Sequence, residues 1–225
     1  MKKRERKDKK NLLKKVYFFE CKRCAKCCSS EKILVTCTHK DLQKLYEYLG
    51  SIEKLLEFIA FYQPKNEKHS LLLKEKMKVP AFKTLRGLAY IGLLKKPNSS
   101  ECIFLKGNSC LIYPIRPRAC ENYPLTFSLD EKGVLKVGVA ESAKLLKNSC
   151  KGLLSPASKR TFLKKDVEKL GIDTVRELRR LHYLAKIWNE MVDNGIIVPT
   201  VRNLLLFLLE KDNNSLISAT VDAKI

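Results

Sequence analysis

The sequence predicts an α+β protein: a small cysteine-rich metal-binding domain of short strands, hairpins and helices, followed by C-terminal helices. Three observations carry that expectation. Eight of the nine cysteines fall into two quartets, one within residues 21–28 and one between residues 102 and 150. Short apolar runs bounded by turn residues dominate residues 85–153, the pattern of strands and hairpins. From Ser155 onward apolar residues recur at helical spacing instead.

The elements follow in chain order. Residues 1–15 form a basic arm with nine Lys/Arg against two Asp/Glu. Val16–Phe19 reads as a short strand entering the first cysteine loop, and Lys32–Thr36 as a second strand leaving it. Thr38 with Asp41 three residues on makes a capping-box start, and Leu42, Leu45, Tyr46 and Leu49 mark a helix ended by Gly50. Ser51 caps a second helix, in which Ile52, Leu55, Leu56, Ile59 and Tyr62 repeat before Pro64 stops it. Residues 63–84 are Lys-rich and weakly patterned, an excursion over the surface. Cys102–Leu105 and Cys110–Tyr113 flank the turn Lys106-Gly107-Asn108-Ser109, which brings Cys102 and Cys110 near each other across a hairpin. Leu125–Leu129 and Val134–Val139 flank a second hairpin turn at Asp130-Glu131-Lys132-Gly133. Pro156 suits a first helical turn, Asp173 caps a long helix running through Met191 to Gly195, and Thr200 opens a last apolar helix. The expected organisation is therefore 1–15 arm, 16–154 cysteine-cluster domain, 155–210 helical region and 211–225 tail.

Composition narrows the class. With 225 residues, 45% of them apolar and 31% charged, the chain can bury one good core without covalent staples. No apolar run approaches bilayer length, so no membrane association is expected. The basic start lacks the apolar stretch of a secretion signal, which points to the cytoplasm. The formal net charge is +21, of which the arm supplies +7 and the other 210 residues +14. Such a balance attracts polyanions, RNA among them, although a solubilising tail reads the same way. No recognised nucleic-acid motif accompanies it.

In a reducing compartment nine cysteines point to metal ligands or catalytic thiols rather than disulfides, and an odd number cannot pair completely. The run Cys21-x2-Cys24-x2-Cys27-Cys28 resembles the iron–sulfur loops of bacterial ferredoxins in its successive C-x2-C steps. Adjacent cysteines project in different directions, so Cys27 and Cys28 are expected to serve two centres, or two irons of one cluster, rather than one tetrahedral ion. Cys102, Cys110, Cys120 and Cys150 supply the second quartet, and eight thiolates fill two four-ligand sites. Zinc and an iron–sulfur cluster of the 4Fe–4S type both suit such ligands, and the adjacent pair tilts the reading towards the cluster. Cys37 reads as a buried core residue, and His39, His69 and His182 as surface or helix-face residues.

The full ordered pattern resembles a known family. Phe19-x-Cys21-x2-Cys24-x2-Cys27-Cys28, then Cys102-Ile103-Phe104-Leu105, Cys110-x2-Tyr113-x2-Arg116-Pro117-x2-Cys120-x2-Tyr123-Pro124 and Cys150-x-Gly152 are similar to the YkgJ-type cysteine-cluster family (CxxCxxCC), over about residues 17–153. The resemblance implies a zinc- or iron-chelating domain on the eight cysteines, with Cys37 extra. Two positions depart from the family pattern. Ala25 stands where Gly is common, which requires only that the backbone there avoid positive φ. Glu121 stands where Arg is frequent, removing a cation beside the centre. Arg116 reads as a guanidinium that offsets cluster charge or holds an anionic cofactor or substrate, with Tyr113 beside it; a proline-stiffened, tyrosine-packed loop accounts for Arg116 equally well and for Tyr113 better.

Two functions follow. In one, an iron–sulfur centre serves a modification or redox reaction on a protein substrate, because the resemblance extends to flagellin lysine N-methylases with this kind of cluster. In the other, zinc stabilises a basic binding module for RNA, a ribonucleoprotein or an acidic protein. No residue stands out as catalytic, and whether the protein is an enzyme stays open.

Overall fold

A computed structural model of the chain describes residues 23–31, 33–77, 79–140 and 164–210. The expected arm, the strand at 16–19, Pro156 and the tail lie outside these residues, as do Cys21 and Cys150. The fold is α+β, with small antiparallel sheets and helices on either side of them in sequence.

The first helix, α1 (His39–Leu49), forms as its signals dictate. Thr38 and Asp41 exchange side-chain and backbone hydrogen bonds in a full capping box, and Gly50 closes the helix at φ 83°. Helix α2 (Ile52–Leu56) is capped by Ser51 but covers only five residues. The expected continuation to Tyr62 is instead strand β1 (Ile59–Tyr62). Ile, Phe and Tyr fit a pleated strand as well as a helix, and pairing with a central strand decides between the two. Residues 63–84 are likewise more than an excursion: they hold helix α3 (Glu67–Met77) and strand β2 (Phe82–Thr84).

The central strand, β3 (Gly87–Leu93), lies within the region expected as short strands and turns, although no individual strand is expected there. It pairs with β1 from Ile59↔Leu93 to Tyr62↔Tyr90, and with β2 from Phe82↔Ala89 to Thr84↔Gly87, giving the order β1-β3-β2. Its residues read GLAYIGL without alternation because Ala89 to Leu93 are all buried. Gly92 has a specific role. A Cβ there would stand 2.5 Å from the Val35 carbonyl oxygen, so glycine lets the segment that follows the cysteine turn lie directly against β3. That segment, expected as a strand over 32–36, makes only the bridge Thr36↔Gly92, with Leu93 N donating to Val35 O and Cys37 N to Ile91 O.

Strands β4 (Leu105–Lys106) and β5 (Ser109–Cys110) form the first hairpin, shorter than expected because Tyr113–Ile115 turn into 3-10 conformation. Helix α4 (Arg118–Asn122) follows, then the second hairpin of β6 (Leu125–Leu129) and β7 (Leu135–Val139). Helix α5 (Lys164–Asp193) is 30 residues long, so Asp173 lies inside it rather than capping it, and pairs with Arg176 one turn on. Gly195, at φ 67°, follows its end. Thr200 caps α6 (Val201–Leu209) as expected.

Two cores result. The main one gathers α1, the three-stranded sheet, Cys102 to Leu105, and the faces of α5 and α6 that carry Leu181, Leu184, Trp188, Leu204, Leu205 and Leu208. Trp188 packs against Phe207 and donates Nε1–H to Lys83 O at 2.8 Å, while Asn189 bonds both Lys83 N and Ala81 O. Helix α5 thereby covers the edge strand β2 and occupies its backbone groups. The smaller core packs Leu125 and Phe127 of β6 on Val167 of α5. Among the described residues no helix is long and apolar enough to cross a membrane.

Candidate metal centre

Six of the eight cysteines expected as ligands lie among the described residues, and four segments carry them. The turn before α1 holds Cys24, Cys27 and Cys28; the stretch joining β3 to the first hairpin holds Cys102; β5 holds Cys110; and α4 holds Cys120.

The turn is built on strained backbone. Arg23 and Ala25 have φ of 48° and 56°, the left-handed region that L-residues enter at a cost of about 1 kcal/mol or more. This corrects the expectation for Ala25: the position does demand positive φ, and alanine occupies it regardless. The conformation aims the Ala25 carbonyl back across the turn, where Cys28 N (2.9 Å), Ser29 N (3.0 Å) and Ser29 Oγ (3.1 Å) all donate to it. One consequence is the placing of Cys27 and Cys28. Their sulfurs stand 3.8 Å apart, so the adjacent side chains do not diverge as expected.

Backbone bonds bring the second segment against this turn. Cys102 N donates to Cys28 O at 2.8 Å, and Ser100 Oγ donates to Ser29 O at 2.7 Å. Cys102 also bridges Lys95, whose Nζ reaches the Ser30 carbonyl at 3.1 Å.

Helix α4 arrives on a buried polar network. Its N-cap, Pro117, offers no side-chain cap, and Asp41 of α1 substitutes: Oδ1 accepts from Arg118 N at 3.0 Å while Oδ2 accepts from Thr38 N at 2.8 Å. The Arg118 guanidinium then donates to Glu177 of α5 at 2.7 Å and to Glu121 at 2.8 Å, and Thr38 Oγ1 donates to the other Glu177 oxygen. At the far end of α4, Asn122 donates to Thr174 of α5 at 2.9 Å. Glu121 is thus a partner of Arg118. Burial lifts the Asp41 carboxyl to about 6, against the hydrogen bonds that lower it.

The thiols sense one another. Cys28 is pushed far up, first by its hydrogen bond to Cys27, then by burial and by thiolates at Cys27, Cys120 and Cys102. Cys27 is correspondingly brought down to about 7 by the Cys28 hydrogen bond. Burial raises Cys120 and Cys102, and each feels neighbouring thiolates, Cys110 among them. These thiols lie within electrostatic reach of one another, and without a cation their charges oppose one another. Among the described residues no three His, Cys, Asp or Glu side chains are grouped so that they could hold a metal ion as they stand. The donor set suits a soft cation all the same: all are thiols, largely buried, arriving from separate segments tied by backbone bonds.

Cys37 is 1% exposed and packed in the main core, as expected. His39 is a correction: it is buried, not on the surface, and burial holds it neutral with a pKa of about 3. Its place at the helix start faces inward because the capping turn docks on α5 through Glu177. Arg116 stacks on Tyr113 at 4.0 Å and donates to its carbonyl at 3.2 Å, and Arg23 lies 4.5 Å from the same ring. Two residues escaped sequence reading. Lys95 is one, since an isolated lysine carries no motif; Glu177 is the other, lost in an ordinary helical pattern.

Residues 20–151 match the CxxCxxCC family, whose description reads "putative zinc- or iron-chelating domain". No curated protein and no solved structure matches the chain.

Proposed function

Because the chain belongs to the CxxCxxCC family, we propose that its cysteines hold zinc, or single iron ions, in four-thiolate sites that staple the fold, and that the basic surface so presented binds a polyanion such as RNA. The observation that carries this reading is the 3.8 Å between Cys27 Sγ and Cys28 Sγ. Two thiolates on one tetrahedral ion with metal–sulfur bonds of about 2.3 Å stand about 3.8 Å apart by simple geometry. Thiolates on different irons of one cluster stand farther apart. Cys27 and Cys28 then share one ion, and the eight cysteines of the pattern suffice for a second four-thiolate site. A site closed by four thiolates leaves no open position, which suits a structural role.

An iron–sulfur centre with a modification or redox role is the second reading, favoured by the C-x2-C-x2-C run and the iron in the family description. Metal and acid-labile sulfide, assayed on anaerobically prepared protein, separate the two. The first reading expects about two metal ions per chain and no sulfide; sulfide in proportion to iron overturns it. For the polyanion, deleting residues 2–15 should weaken RNA binding and flatten its salt dependence, and an unchanged slope leaves the arm as a solubiliser.

A further inference from the structure

We propose that Lys95 is the resident counter-cation of the thiolate centre, an inference that rests on the metal reading above. Lys95 is stitched into the site from two directions. Its backbone bridges Cys102, and Cys102 in turn donates to Cys28 O at 2.8 Å. Its ammonium reaches past that pairing to the Ser30 carbonyl at 3.1 Å, on the turn that carries Cys27 and Cys28.

The ammonium has three donors, and this one bond uses one of them. Lys95 is only partly exposed, and among the described residues no carboxylate pairs with it, whereas its neighbour Lys96 is satisfied by Glu101 at 2.8 Å. Drawing a cation out of water without a counter-charge is costly. Burial lowers the pKa of the Lys95 ammonium, and the thiolates of Cys102, Cys28, Cys120 and Cys27 are the negative groups that oppose that loss.

Charge balance closes the argument. Four thiolates around a divalent ion leave a net charge of −2 in a partly desolvated site, and a fixed ammonium beside them removes half of it. Lys95 therefore favours the metal-bound, fully deprotonated set over the free thiols. Outer-shell partners of this kind are worth roughly 10–100-fold in metal affinity.

The test is zinc affinity of the full-length chain, measured by competition with a chelator at fixed pH, for wild type, Lys95→Met and Lys95→Arg. Methionine keeps the length and loses the charge; arginine keeps the charge. The expected result is at least about tenfold weaker binding for Lys95→Met, most of it recovered in Lys95→Arg, with the metal-free proteins melting alike. Equal affinity in wild type and Lys95→Met overturns the inference while leaving the metal reading in place. So does an arginine variant as weak as the methionine one, since the lysine would then act through packing. A wild-type chain that binds no zinc or iron overturns both together.

Discussion

The Cys27–Cys28 turn and helix α4 bring thiols to the same place by opposite means. The turn relies on local backbone: two left-handed non-glycine residues and a cluster of short-range bonds onto the Ala25 carbonyl. Helix α4 has no cap of its own and only five residues, too few to hold a helix by themselves, so its position comes from α1 and α5 through Asp41, Glu177 and Thr174. Cys120 is accordingly set by tertiary structure before any ion arrives. The turn instead holds strain that a bound ion can offset, so metal and folding are more tightly coupled there.

Breaking the α4 side should have the larger effect. Glu177 is buried and accepts from both Arg118 and Thr38, so Glu177→Ala leaves a largely buried guanidinium with only Glu121 to pair with. Denaturant unfolding should register a loss on the order of 3 kcal/mol. A loss under about 1 kcal/mol, the range of an exposed ion pair, would mean that α4 is held by packing alone. On the turn, Ala25→Gly sharpens the comparison from the other direction. Glycine removes the left-handed penalty at some cost in chain entropy, and metal-free protein should gain roughly 0.5–1 kcal/mol. A destabilised variant would contradict the strain assigned to Ala25.

The same contrast governs what could be read from the chain. Local chemistry was legible: the capping box at Thr38 and Asp41, the Ser51 and Thr200 caps, Gly50 and Gly195, and the second hairpin all stand where residue type and spacing put them. Long-range pairing was not. Strand β3 lacks alternation because its later residues are buried, and β1 carries a helical period that strand pairing overrides. In the site, spacing located the cysteines, but nothing local tells that Ala25 adopts positive φ, that His39 turns inward, or that Lys95 reaches the Ser30 carbonyl of the cysteine turn. Those are properties of the packed chain, set by Gly92, Glu177 and the bridge at Cys102.

The central claim is that Cys27 and Cys28 are ligands of one ion while Cys37 is core. Metal stoichiometry of purified wild type, Cys28→Ser and Cys37→Ser tests it most directly, since each variant removes one thiol from this small region. The account predicts that Cys28→Ser loses one ion of about two, the number that eight thiolates fill at four each, while Cys37→Ser keeps both. Full metal content in Cys28→Ser, or loss in Cys37→Ser, would contradict it.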